Sequence, residues 1–143
     1  MIRCVRMWTG EDGNSLFEEG LIDMAAGARS DFVGRAVPAV EISFQETLSG
    51  GSYAWHQDPK PRFVLTLSGT LEFETKSGAA FTIRPGDVLL AQDDTGTGHR
   101  WKLIGDEPPG LCRLPERRRS PFHTSTEGMK RMRTPSRKPR TSS

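Results

Sequence analysis

Only two cysteines, Cys4 and Cys112, and a single tyrosine occur in these 143 residues, and aromatics make up 8% of the chain. Two cysteines at opposite ends rule out a disulfide-dense scaffold and a paired-cysteine metal site. They read as reduced, half-buried thiols of a cytoplasmic protein, the alternative being one disulfide joining the ends. No apolar run approaches the roughly 18 residues of a membrane span. Residues Met1 to Gly10 carry Arg3 and Arg6 and no apolar core, so no secretory leader is expected. No nucleophile stands beside a base in sequence and no phosphate-cradling loop occurs.

What is present is a division of charge. Residues 1–112 hold 10 Lys+Arg against 16 Asp+Glu, and residues 113–143 hold 10 against 2. An acidic body is therefore followed by a basic tail. The tail has prolines at 115, 121, 135 and 139 and one aromatic, Phe122. Such sequence buries too little apolar surface to offset its ordering entropy, so residues 113–143 are expected to be disordered. Its clustered cations read as a solvated tail with no specific partner, the alternative being weak, salt-sensitive contact with nucleic acid or anionic surfaces, since no aromatic series or recognition helix supports more. Length allows one folded domain, residues 1–112.

That domain reads as strand after strand. Val40, Ile42 and Phe44 alternate with polar neighbours, as do Phe63, Leu65 and Leu67. Ser68-Gly69 then reads as a two-residue turn into a strand with Leu71, Phe73 and Thr75 on one face. Lys76-Ser77-Gly78 is a second turn, followed by Phe81 and Ile83. After Pro85-Gly86-Asp87 comes the short apolar run Val88 to Ala91, and Trp101, Leu103 and Leu111 to Leu114 supply the last strands. Only Ser15 to Glu19 hints at a helical turn. This spacing predicts an all-β sandwich or barrel.

Two of the three histidines fall inside the domain, His56 after the Gly50-Gly51 break and His99 after a glycine-rich loop. The ordered set Gly51, His56, Gly69, Pro85-Gly86-Asp87 and His99 resembles the two-part signature of the cupin superfamily. More narrowly, residues 1–107 are similar to small, single-domain, RmlC-like cupins. The resemblance implies a jelly-roll β-barrel with its site in the barrel mouth. It also implies a divalent metal, Fe, Mn, Ni or Zn, held by histidines and a carboxylate. In this chain those ligands would be His56, Asp58 and His99. Homodimerisation through a sheet is a further implication.

The departures point elsewhere. Arg62 stands where the family pattern has a glutamate, and a guanidinium neither deprotonates nor binds a cation. With His56 and His99 it makes a cationic site suited to a small carboxylate or phosphate ligand. The alternative is that Arg62 pairs with Asp58 and holds the strand. Asp93-Asp94 reads as a pair of solvated loop acids, the alternative being a role in binding a cation or substrate hydroxyls, and Tyr53 and Trp55 read as packing residues more than stacking platforms. Leu111 to Leu114 is either a shortened last strand or the start of a replaced C-terminus. The residues leave two functions open: a metal-free binder of a small anion, or a metal-dependent enzyme of the dioxygenase or isomerase type.

Overall fold

The computed structural model describes residues 1–39, 41–48, 52–57, 60–115 and 129–131. Strands dominate them, and no helix among them is long and apolar enough to cross a membrane. In chain order they are β1 (Arg3–Thr9), β2 (Ser15–Ile22), β3 (Met24–Ala26), β4 (Phe32–Gly34), β5 (Ser43–Glu46), β6 (Ser52–His56) and β7 (Arg62–Ser68). Then follow β8 (Thr70–Thr75), β9 (Ala80–Ile83), β10 (Val88–Gln92), β11 (His99–Ile104), β12 (Gly110–Pro115) and β13 (Met129–Arg131).

Two sheets carry the fold. The larger runs β13-β2-β1-β10-β7-β12-β5 and the smaller β6-β11-β8-β9, with β3 and β4 as a separate ribbon. All pairings are antiparallel except β1 with β10. The sheets face each other over one core, to which the larger contributes Val5, Met7, Val64, Leu89, Ala91 and Leu111. The smaller contributes Leu71, Phe73, Phe81, Ile83 and Trp101. The all-β expectation holds, as two facing open sheets; no closed barrel forms among the described residues.

The face of β7 is not the one the apolar alternation suggests. Val64 and Thr66 are buried against the inner core, whereas Leu67 is 61% exposed. Phe63 and Leu65 line an outer apolar cavity of about 260 Å³ with Val88 and Leu114. The larger sheet thus has apolar side chains on both faces, so alternation alone could not say which faced inward.

Ser68-Gly69 is likewise not a hairpin turn. β7 pairs with β10 and β12, whereas β8 pairs with β11 and β9, so this dipeptide is the corner at which the chain changes sheets. Gly69 takes φ +73° there, and a Cβ on it would stand 2.7 Å from the Pro109 Cα. A side chain fits neither the dihedral nor the space. The hairpin lies one turn later, across Lys76-Ser77-Gly78, where Gly78 N donates to Thr75 O at 3.0 Å.

Ser15 to Glu19, read as a helical turn, is the start of β2. Pairing with β1 places Phe17 opposite Met7, and its ring lies 4.6 Å from that of Phe81. Tertiary pairing outweighs a weak local signal. At the other end β12 runs to Pro115, three residues past the expected boundary, and bonds to both β7 and β5. Residues 129–131, inside the basic tail, pair with β2. The remaining tail residues lie outside the described set.

The cysteines are both buried and unbonded. Register explains why they cannot pair: Cys4 lies opposite Val88, Val88 opposite Leu65, and Leu65 opposite Cys112. Three strand spacings put them about 14 Å apart, beyond the roughly 7 Å limit for a disulfide.

Candidate binding site

His56 and His99 are direct cross-strand partners on β6 and β11. Their rings sit 4.5 Å apart in an edge-to-face arrangement, and the ring of Phe73 lies 5.6 Å from that of His99. A register irregularity between His99 and Trp101 disturbs the ladder immediately beyond the pair. Bulges commonly re-aim a side chain at the edge of a sheet.

His99 is 2% exposed, and its Nδ1 lies 2.6 Å from the Asp93 carboxylate. The same Asp93 oxygen accepts from Ser15 Oγ at 2.7 Å. The three side chains come from β2, the end of β10 and β11, so this chain of bonds ties the two sheets together at one end. Asp93 is fully buried, and its other oxygen has no hydrogen-bond partner among the described residues. The expected solvated acid pair therefore divides, with Asp94 exposed and Asp93 inside. The distinction was hidden because Asp93 continues the inward alternation of Leu89 and Ala91 past the end of the strand.

The tautomers follow from the partners. His56 Nδ1 lies 2.8 Å from Ala54 O, which only accepts, so Nδ1 carries the hydrogen and Nε2 is the ring's acceptor when neutral. A carboxylate on His99 Nδ1 fixes that ring in the same way. On protonation each Nε2 becomes a donor instead.

Arg62 opens β7 at this same end, where it pairs with Ala91 of β10 and Pro115 of β12. It shares the inward face with Val64 and Thr66 and is half-buried. The register thus turns Arg62 toward the interior from the larger sheet, while the two histidines belong to the smaller one. Asp58 lies outside the described residues, so its pairing with Arg62 has no description. Trp55 is outside the mouth: Lys76 Nζ lies 3.9 Å and the Arg100 guanidinium 5.0 Å from its ring centroid.

The loops of this end are tied to one another. Thr97 N donates to Gly13 O at 2.9 Å, Thr97 Oγ1 donates to Asn14 Oδ1 at 2.9 Å, and Gln57 Nε2 donates to Gly96 O. Among the described residues no three His, Cys, Asp or Glu side chains group to hold a metal ion. Two histidines stand together, and the nearby carboxylate of Asp93 is engaged by one of them. Asp58, the third candidate ligand, lies outside the described residues.

Ser15 is the site residue that sequence reasoning missed, and Asp93 was singled out but favoured as a solvated acid, without its burial or its bond to His99. Nothing in a lone serine after Asp12-Gly-Asn or in an aspartate of an acidic loop distinguishes them from solvated turn residues.

No family model and no curated protein matches the chain. Among solved structures it is similar to an RmlC-like cupin protein from Desulfovibrio desulfuricans, at 16% identity and a TM-score of 0.40, over 68% of this chain and 83% of that one. It is also similar to KdgF from Halomonas sp., at 17% identity and a TM-score of 0.40, over 78% and 86%.

Proposed function

We propose that the mouth between the two sheets binds a small anionic molecule, with Arg62 supplying the charge and His56 and His99 hydrogen-bonding to it. The observation that carries this reading is the inward position of Arg62, on the same face as buried Val64 and Thr66. A guanidinium offers a planar fork of donors matched to a carboxylate or phosphate. Placed at the rim of an apolar interior, its attraction for an anion is screened less than at an open surface. The histidine pair adds two ring nitrogens whose donor or acceptor role follows their protonation, which suits a ligand that carries hydroxyl groups as well as charge.

The second reading is a divalent ion, Fe, Mn, Ni or Zn, held by His56, Asp58 and His99 in a metal-dependent enzyme. One feature favours it: a carboxylate on the far nitrogen of an imidazole is the usual support of a metal-ligating histidine, and Asp93 stands in that position to His99. Such an ion would act as a Lewis acid on a bound oxygen.

Two measurements separate the readings. Calorimetric titration of the full chain with inorganic phosphate and with acetate should show binding that falls about tenfold or more in Arg62→Gln. Elemental analysis of protein purified without a histidine tag should show little metal, unchanged by His56→Ala. Near-stoichiometric metal that disappears in His56→Ala would replace the first reading with the second.

A further inference from the structure

The larger sheet has a second apolar face, on the side away from the inner core. In β7 Val64 and Thr66 turn to the core, while Phe63 and Leu65 turn outward into the cavity of about 260 Å³. Val88 of β10 and Leu114 of β12 line it from the same sheet, Ile22 from the end of β2, and Val37 from the chain between β4 and β5. The cavity is therefore a slot between the sheet and a strap of chain laid across it. Its walls are anchored, because Ile22, Val37, Phe63 and Val88 also pack against Cys4 and Leu90, which are wholly buried.

Every described residue that lines this slot is apolar, and none carries charge. Water there finds no side-chain hydrogen-bond partner, and replacing poorly ordered water by an apolar group is favourable. A charged or hydroxyl-rich ligand would lose its hydration with nothing in return. The volume exceeds the roughly 150 Å³ of apolar cavities that take up benzene. A second protein is too large an occupant, since a specific interface uses roughly 20–30 residues a side and far fewer line this cavity. We infer that the outer cavity is a binding site for one neutral, apolar small molecule, the size of two fused aromatic rings or a short alkyl chain. The thickness of the larger sheet separates it from Arg62 and the histidine pair, so it is independent of the anion site.

The test is fluorescence titration of the full chain with N-phenylnaphthylamine, a neutral dye that brightens on leaving water. Wild type should bind one dye per chain in the micromolar range. Val88→Phe, which fills the cavity from β10, should weaken binding about tenfold or more. Leu67→Ala, on the exposed part of the same face, should change it less than about twofold. Octanol should displace the dye, and octanoate, with the same chain and a charge, should need about tenfold more. A wild type that binds no dye overturns the site, and dye binding gained in Phe122→Ala would then assign the cavity to the chain's own segment 116–128. Dye kept in Val88→Phe and lost in Leu67→Ala also overturns it, by placing the dye on the exposed surface. Octanoate as effective as octanol overturns the neutral ligand. Should Val88→Phe not fold, Leu114→Phe, which fills the cavity from β12, decides by the same loss: affinity equal to wild type overturns the site.

Discussion

Asp93 and His99 are six residues apart in the chain, yet their side chains meet at 2.6 Å in the interior, joining the end of one sheet to the start of the other. Ser15 completes the arrangement from β2, on the same carboxylate oxygen. The serine hydroxyl points at the aspartate and not at the imidazole, so this is no nucleophile with its base; the bonds hold His99 in place. A buried carboxylate is tolerable only when hydrogen-bonded, and here its two donors come from strands that must dock for the sandwich to close.

Removing those bonds should therefore cost unequal amounts. Ser15→Ala deletes one neutral donor and should lower unfolding free energy by about 1 kcal/mol. Asp93→Asn removes the charge that holds His99 and should cost about 3 kcal/mol. Urea denaturation at neutral pH reads both. An Asp93→Asn loss no larger than that of Ser15→Ala would show that the carboxylate is not the anchor of this end.

The inward face of β7 gives a second contrast. Val64 is 7% exposed and Leu67 61% exposed, although leucine is the more hydrophobic residue. Val64→Ala should cost about 1–2 kcal/mol from lost burial and the space left behind. Leu67→Ala should stay within about 0.5 kcal/mol, as surface substitutions do. Equal losses would mean that β7 is turned the other way, and Arg62 with it.

That reversal shows where sequence stops being informative. The strand positions of β8 to β11 were legible because Leu71, Phe73, Phe81 and Ile83 alternate cleanly and their turns carry Gly78 and Gly86. In β7 the fully apolar set, Phe63, Leu65 and Leu67, faces away from the inner core while the mixed set of Arg62, Val64 and Thr66 faces it, so period-2 reasoning finds the strand but not its face. The N-terminal strands escaped notice because β1 reads Arg-Cys-Val-Arg-Met-Trp-Thr: its polar positions are held by specific partners, Arg3 by Asp87 and Glu19, Arg6 by Gln92. Those partners lie up to 86 residues away. The histidines were legible as a spaced pair, whereas Asp93 and Ser15 acquire meaning only once β2, β10 and β11 converge.

Cys4 predicts a pH effect of definite sign. Burial pushes the Cys4 thiol up from its ordinary 9.0 to about 12, against a smaller opposing pull from Arg3. Below pH 9 the thiol is protonated in both folded and unfolded chains, and its burial contributes in full. Between pH 9 and 12 the unfolded chain ionises while the folded one does not, so stability falls as pH rises, by at most about 1.4 kcal/mol per pH unit from this group. Urea midpoints at pH 8.5 and 10 should separate more for wild type than for Cys4→Ala. A colorimetric thiol reagent should find neither cysteine promptly in the native protein and both in urea. Prompt reaction of the native protein would contradict their burial.

The last prediction concerns how His56 is held. Gly98 immediately precedes His99 and takes φ +70°, and a Cβ built on it would lie 1.9 Å from the His56 carbonyl oxygen. That neighbour is backbone, not the yielding tip of a side chain, so Gly98→Ala must either push β6 away from β11 or change the local dihedral. Gly78 offers a control: its φ is +85° but nothing lies within 4 Å of a Cβ there. Gly78→Ala should therefore cost only the left-handed strain, about 1 kcal/mol. Gly98→Ala should cost about 3 kcal/mol or more and also separate the two imidazole rings. Proton NMR of the histidine ring resonances distinguishes this from a general loss of stability. His56 and His99 signals should shift in Gly98→Ala and stay in place in Gly78→Ala. Unmoved ring signals in a folded Gly98→Ala protein would show that β6 does not pack against Gly98, and the histidine pair would lose its structural basis.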